Sequence, residues 1–589
     1  MAGPVRVSRR FKLLLIKPSH YDDDGYVIQW FRSQIPANSL ACLYGIAQQA
    51  RAAQALGPDI EIDIEALDEC NTRVRPERLA RRIAAAGDGM VMLAGVQSNQ
   101  FPRALDIARR FRALGVRVAI GGFHVSGTLA MLPGIEANVQ QALDIGCTIF
   151  AGEAEEGRLQ EVLRDAASGA LKPIYNFMDA LPGLEGAPTP HLPANVVTRT
   201  IGGVSSFDAG RGCPYQCSFC TIINVQGRKS RRRSPDDIEA IIRANNAQGV
   251  HEYFITDDNF ARNRDWEIIF DRLIKLTEVD KIKIRLTIQV DTLCHKLEGF
   301  IPKARRAGVR RVFIGLENVS PDNLLAAKKR QNKITEYRSM LLEWKRHRIM
   351  TYCGYITGFP NDTPERLLRD VHTVQSELPV DLLEFFFLTP LPGSEDHQKL
   401  ARDRVWMDPD LNRYDLNHAV AEHATMSLET WRRLYLECWK TYYSDEHILR
   451  VMRRNAAMKN SLDKVLFLLG WFKGSVFIED LHPLECGVLR RKHRLDRRPG
   501  LPVESFWGFH ARFALETVAK QIRWIRLYAR LWSQYQSVRR SPARLDYMDE
   551  ALTEVDEHEA ERTMFQTDEA KAFVVEQRRM NRIRAEASA

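Results

Sequence analysis

Short apolar runs alternate, along the first ~150 residues, with segments whose apolar positions return every three or four residues. Phe11–Ile16, Met90–Gly95, Val116–Ile120 and Cys147–Ala151 are compact apolar runs, and Ile60–Leu67 alternates as a strand does. Between them Leu40–Ala55, Pro76–Ala86 and Ala104–Leu114 carry helical periodicity. Strand and helix taking turns predict a doubly wound parallel sheet with helices on its faces. A second series runs from Val204 to about Pro392, with strands predicted at 204–209, 252–256, 284–290, 311–316, 351–357 and 383–388. Helical stretches such as Pro235–Asn246, Asp265–Leu276 and Thr363–Glu377 separate these strands, and six units predict a partial barrel rather than a closed eightfold one. Beyond about 400 the pattern is helical with no clear strand, and Trp507–Arg540 reads as one long helix. The predicted division is 1–172, a proline-bearing linker 173–200, a barrel 201–400, a helical region 401–545 and a charged helical tail 546–589.

Composition narrows this little. The 589 residues suffice for three or four cores, and 45% hydrophobic with 27% charged residues is globular, which rules out a disordered or fibrous chain. Lys plus Arg number 84 and Asp plus Glu 75, but this +9 is dispersed and gives no ground for a nucleic-acid partner. The apolar run Val465–Phe472 falls far short of the ~20 residues of a membrane span. The basic start precedes only five apolar residues and reads as a first strand, so a cytoplasmic protein is expected.

Ten cysteines in a chain this long are no disulfide framework, and only three lie close together: Cys213, Cys217 and Cys220, in Gly-Cys-Pro-Tyr-Gln-Cys-Ser-Phe-Cys directly after the first strand of the second series. Three thiolates in one loop can share one soft metal centre. Structural zinc takes four protein ligands, whereas this loop holds no fourth Cys or His and the next histidine is His251. Three ligands therefore suggest an iron–sulfur cluster with one open iron; structural zinc and a pure electron-transfer cluster are the alternatives.

Cys213, Cys217, Phe219 and Cys220 match the motif of the radical SAM superfamily, which this sequence resembles. FITDDNF, FIGLEN, YITGFPNDT and LTPLPGS, in that order, resemble the branch with an N-terminal cobalamin-binding-type domain, and GGFHVSG and AGEAEEG resemble that domain itself. The resemblance covers roughly residues 10–400. It implies a [4Fe–4S] cluster on Cys213, Cys217 and Cys220, S-adenosyl-L-methionine on the open iron, a 5′-deoxyadenosyl radical, and a one-electron donor such as flavodoxin or ferredoxin. The ends of the barrel strands supply expected S-adenosylmethionine contacts at Asp257, Asp258, Gln289, Glu317 and Gly358, with Phe219 of the loop. Asp257, Asp258 and Glu317 read equally as loop or helix-start acids.

Cobalamin contacts are expected at Ser98, Asn99, Gly121, Gly122, His124, Gly152 and Glu153. One departure stands out: the Asp-x-His-x-x-Gly motif that supplies an axial histidine is absent, and the corresponding loop reads Val96-Gln97-Ser98-Asn99-Gln100-Phe101. His124, a lone loop histidine, reads also as a structural residue. His20 with Asp22, Asp23 and Asp24 reads as a solvated loop or a site for a hard cation. The expected reaction is cobalamin-dependent methylation of an unactivated carbon of a small-molecule or lipid substrate. Radical cyclisation, oxidation or C–C coupling without methyl transfer is the second reading, and a non-enzymatic Fe–S or zinc protein the third. The basic aromatic helix near 507–540 and the run Arg490-Arg491-Lys492-His493-Arg494 suit either packing over the barrel or an anionic inner-membrane surface.

Overall fold

The computed structural model describes residues 9–553. Strands β1 (Arg9–Lys17), β2 (Gln29–Ser33), β3 (Ile60–Asp68), β4 (Gly87–Leu93), β5 (Arg117–Gly121), β6 (Thr148–Ala151) and β7 (Ile174–Asn176) open the chain. All but β2 form one parallel sheet in the order β3-β1-β4-β5-β6-β7. Burial on both faces explains why β1 and β4 read as apolar runs rather than alternating ones: Leu13, Leu14, Leu15 and Ile16 are all fully buried. The core splits accordingly. Leu13 and Leu15 join a cluster that continues into the barrel, and Leu14 and Ile16 pack beneath the helices Pro76–Ala86 and Phe101–Ala113.

After β8 (Val204–Phe207), a two-stranded antiparallel ribbon of β9 (Gly210–Arg211) and β10 (Arg231–Arg232) brackets the cysteine loop. The series continues with β11 (Glu252–Ile255), β12 (Arg285–Val290), β13 (Val309–Glu317), β14 (Met350–Thr357) and β15 (Leu382–Phe387). Together they form a parallel sheet in the order β15-β14-β13-β12-β11-β8. β8 and β15 end the order unpaired with each other, so the barrel stays open, as six strand–helix units predict. The helix Leu462–Ile478 lies along this gap; apolar nearly all round, it is buried at Val465, Leu469, Phe472 and Val476.

The two parallel sheets and the helical C-terminal region agree with the fold class read from the sequence. Two details differ. The stretch read as a linker begins with an edge strand, β7. The region beyond 400 contains β16 (Gly487–Arg491), antiparallel to β2. Neither β2 nor β16 has a hydrophobic period of its own, since each is held by the other and by Trp30, whose indole donates to the Glu485 carbonyl at 2.9 Å. The predicted tail 546–589 falls mostly outside the described residues. No helix among those described is long and apolar enough to cross a membrane.

The acidic run after β1 is committed to ion pairs. Asp22 pairs with Arg490 at 2.8 Å, Asp24 with Lys492 at 3.3 Å, and Asp23 with His418 at 3.2 Å. The same contacts engage the basic run: Arg490 lies over Trp30, Arg491 over Phe31, and Arg494 donates to the Glu504 carbonyl. Arg490 and Lys492 therefore join the N-terminal and C-terminal regions, a choice neither segment reveals when read alone. His20 is drawn instead toward Asp415 and Glu485, the three ligand atoms lying within 4.8 Å of one another.

Candidate active site

The cysteine loop sits at the C-terminal end of β8, between the two sheets. Backbone bonds fix its path: Cys213 N–H donates to Gly227 O (3.2 Å), Ser218 N–H to Ala327 O (3.1 Å) and Cys220 N–H to Cys217 O (3.2 Å). Cys217 is buried, and Cys213 and Cys220 are half-buried. Burial pushes the Cys213 thiol up to about 11 and Cys220 up to about 12, so a metal's own charge is needed to hold them as thiolates.

Asp258 and Lys329 place their charges beside this loop. Asp258 interacts electrostatically with Cys213 and Cys220, Lys329 with Cys217 and Cys220. Burial pushes the Asp258 carboxyl up to about 7. Lys329 pairs with Glu317 and lies 5.7 Å from the centre of the Phe219 ring. Glu317 itself holds a left-handed backbone, φ 65°. Gln331 sets its amide 3.5 Å from Cys217 Sγ. The partner of Glu317 and the amide on Cys217 come from the segment after Pro321–Ala326, which carries no motif of its own; sequence reading missed both for that reason.

The other expected S-adenosylmethionine contacts divide. Asp257 accepts the Ala209 N–H at 2.7 Å and so braces the end of β8, with burial raising it to about 7. Gln289 donates to the Asp257 carbonyl at 3.3 Å and faces the barrel lumen. Gly358 (φ +94°) lies under an indole: a Cβ there would sit 1.8 Å from Trp431 Cζ2. The close approach this glycine permits is that of Trp431. Asp291, beside Gln289 in the sequence, is held by Arg262 at 2.5 Å and accepts from the Tyr215 hydroxyl at 3.1 Å.

Facing the loop is an interdomain cavity of about 400 Å³. Leu43, Ile46, Met92, Ala119, Leu159 and Val162 form its apolar depth, between the sheet and the helices Asn38–Ala52 and Arg158–Ser168; Asp258, Thr256 and Ile222 lie on the barrel side. Of the residues expected to meet cobalamin, Gly121, Gly122, Gly152 and Glu153 line it. Gly122 (φ +146°) passes so close to the neighbouring loop that a Cβ would lie 2.1 Å from Val96 N. Ser98, Asn99 and His124 do not line it. His124 is fully buried, 3.2 Å from Ser98 Oγ, 3.7 Å from Glu136 and packed on Phe101.

Arg211, one residue before Gly212 of the loop, ties the two sheets together. It bonds Glu153 at 2.6 Å and Glu155 at 2.8 Å from the first sheet, and Asp208 at 3.1 Å from its own. Arg231 adds a second bond to Glu153, and Arg233 one to Asp208 at 3.4 Å. The arginines hold the Asp208 carboxyl far below the usual range despite its burial. Glu153 is thus an ion-pair anchor at the cavity wall, a role the AGEAEEG segment did not disclose.

Residues 209–374 match the radical SAM superfamily. Bacteriochlorophyllide d C-12(1)-methyltransferase of Chlorobaculum tepidum is 24% identical over 360 residues, 59% of this chain and 73% of that protein. Hopanoid C-2 methylase of Rhodopseudomonas palustris is 24% identical over 352 residues, 59% of this chain and 62% of that protein. Among solved structures, the radical S-adenosylmethionine methyltransferase TsrM of Kitasatospora setae, with cobalamin and a [4Fe-4S] cluster bound, superposes with a TM-score of 0.51 at 15% identity, over 67% of this chain and 75% of that one. The cobalamin-dependent radical enzyme OxsB superposes with a TM-score of 0.52 at 12% identity, over 94% and 83%. By this match residues 209–374 are a radical SAM domain, the one that the cysteine loop opens. In this chain that domain follows an N-terminal α/β domain, and the two together share the fold of those solved structures.

Proposed function

We propose that this protein is a cobalamin-dependent radical SAM methyltransferase, with Cys213, Cys217 and Cys220 as cluster ligands. The observation that carries the reading is the placement of a three-cysteine loop after β8, with the residues on either side of it, Arg211 and Ile222, lining a slot between sheet and barrel. When bound, the cluster and S-adenosylmethionine supply a hydrogen-abstracting radical and cobalamin supplies the methyl group.

The chain's own residues do the positioning. Loop backbone bonds to Gly227 and Ala327 fix the thiols, and the Gln331 amide steadies the Cys217 sulfur. Asp258, at the edge common to loop and slot, would meet a hydroxyl or ammonium of S-adenosylmethionine. The apolar slot suits the flat nucleotide tail of a corrinoid, with Gly121 and Gly122 giving close backbone approach. The slot's lining holds no histidine; Gly95 and Gln97 are among the residues that would hold a corrinoid there. Arg211 keeps slot and loop in register. Anaerobic reconstitution tests the whole. Wild type is expected to hold a cluster, retain cobalamin and form deoxyadenosine, and Cys213→Ala, Cys217→Ala or Cys220→Ala to lose cluster and cleavage together. Deoxyadenosine without cobalamin binding would favour a radical reaction without methyl transfer.

A flavodoxin or ferredoxin is the proposed electron donor. On the helix Phe506–Arg540, Trp507, Leu515, Val518, Ile522, Ile525 and Trp532 recur on one exposed face, with Arg523, Arg526 and Arg530 beside it. This amphipathic face is the proposed contact with an anionic lipid surface. Failure of the full chain to float with anionic vesicles at low salt would refute that contact.

A further inference from the structure

A second cavity, of about 590 Å³, fills the lumen of the barrel and shares no lining residue with the interdomain slot. Its walls are inward-facing positions of the strands, among them Phe254, Thr287, Phe313 and Tyr352; Phe467 and Trp471 of the helix Leu462–Ile478 close the open side. Glu384 of β15 points into this apolar space. It is fully buried, and neither carboxylate oxygen has a hydrogen-bond partner. Such a group costs stability and persists where it serves a ligand. Burial raises its carboxyl to about 8, so near neutrality it offers an O–H rather than a charge.

The mouth is cationic beyond its own needs. Arg285, Arg310, Arg311 and Lys464 face Glu252 and Asp463. Glu252 is taken by Arg285 at 2.8 Å and Arg311 at 3.6 Å, and Asp463 accepts the Tyr535 hydroxyl at 2.6 Å. Arg310 donates to the carbonyls of Arg305 and Val309, and neither it nor Lys464 has a carboxylate partner among the described residues. Burial and the neighbouring arginines depress both, Arg310 to about 10. An anion seated there would relieve that repulsion. At the other end Gln289 borders the lumen and bonds the Asp257 carbonyl, next to Asp258 of the cofactor site.

We propose that the lumen is the substrate pocket and takes an elongated apolar molecule with an anionic end group, the anion at Arg310 and Lys464 and an oxygen of its body on Glu384. This assignment rests on the radical SAM reading above for its chemistry, and on the cavity alone for its ligand class.

The test titrates laurate, 6-oxododecanoate, dodecanol and dodecylamine, below micelle-forming concentrations, into the reconstituted full-length protein by calorimetry. Laurate is expected to bind about tenfold or more tighter than dodecanol, and dodecylamine weakest. Arg310→Ala with Lys464→Ala should erase the advantage of laurate; Arg310→Lys with Lys464→Arg, which keeps the charge, should retain it. Glu384→Leu should remove any preference for the oxo acid over laurate. Equal binding of all four probes, or an undiminished laurate advantage in the double alanine variant, would overturn the inference. Deoxyadenosine formation by the wild type is read in the same samples. Its absence beside selective laurate binding sinks the radical reading and leaves the pocket assignment standing; its presence without selective binding sinks the pocket assignment alone.

Discussion

Replacing Arg211 with methionine keeps most of the side-chain volume and removes the charge that three carboxylates share. Arg211, Glu153, Glu155 and Asp208 are each at most 9% exposed at the side chain. Glu153 would keep Arg231 and Asp208 would keep Arg233, but no other cation pairs with Glu155 among the described residues. A buried pair broken on one side costs about 3–5 kcal/mol. If the N-terminal sheet and barrel melt as units of 150–250 residues, the loss is about 6–20 °C in Tm. Glu155→Gln alone leaves Arg211 with two carboxylates and should cost less. In the double variant the unpaired charge is gone, so a double-mutant cycle should recover more than about 1 kcal/mol. Calorimetric scans at neutral pH measure all four corners. The Asp208 carboxyl, held low in the fold by Arg211 and Arg233, contributes stability above its unfolded pKa of about 4 and loses it as pH falls below that. The gap between wild type and Arg211→Met should therefore narrow in acid. A loss under about 1 kcal/mol, or strict additivity in the cycle, would refute the view that this network couples the two sheets.

Other outcomes follow from single contacts. Gly358→Ala drives a Cβ into Trp431 on a left-handed backbone and should destabilise by about 2–4 kcal/mol in denaturant titrations; a neutral effect would mean that Trp431 does not pack there. Glu384→Gln should flatten the pH dependence of stability. Because Glu384 holds its proton in the fold up to about pH 8, wild-type stability falls as pH rises from about 4.5 to 8, and a variant with the same slope would contradict the buried neutral carboxyl. His418, raised to about 9 mainly by its bonds to Asp23 and Asp415 against the cost of burial, stabilises most below about pH 6.5 and progressively less up to about 9. His418→Gln should thus cost stability at pH 6 and little above pH 9, read by thermal scans across that range.

Which parts of this protein were legible without coordinates follows from the range of the interactions that fix them. Hydrophobic period is local, so all six barrel strands and the helix Phe506–Arg540 stand out in the sequence to within a residue or two. The cysteine spacing is local too, and one loop held the whole cluster motif. β2 and β16 escaped because their partners lie far along the chain: Gly487 pairs with Ser33, and only tertiary contact makes either a strand; β7, three residues long, is too short to show a period. The same limit governed side-chain roles. Asp257, Gly358 and His124 sit in or near motifs, yet a strand end, an indole and a serine hydroxyl determine what each does. Lys329 and Gln331 reach the cysteines from a segment without a pattern, and the partnerless carboxyl of Glu384 is visible only once a barrel closes around it. Sequence alone thus determined the layers and the cysteine loop, through periods of two and 3.6 residues and one short motif. Tertiary structure decided charge partners, cavity walls and which acids stay neutral, because burial and Coulomb energy depend on distance in space rather than along the chain.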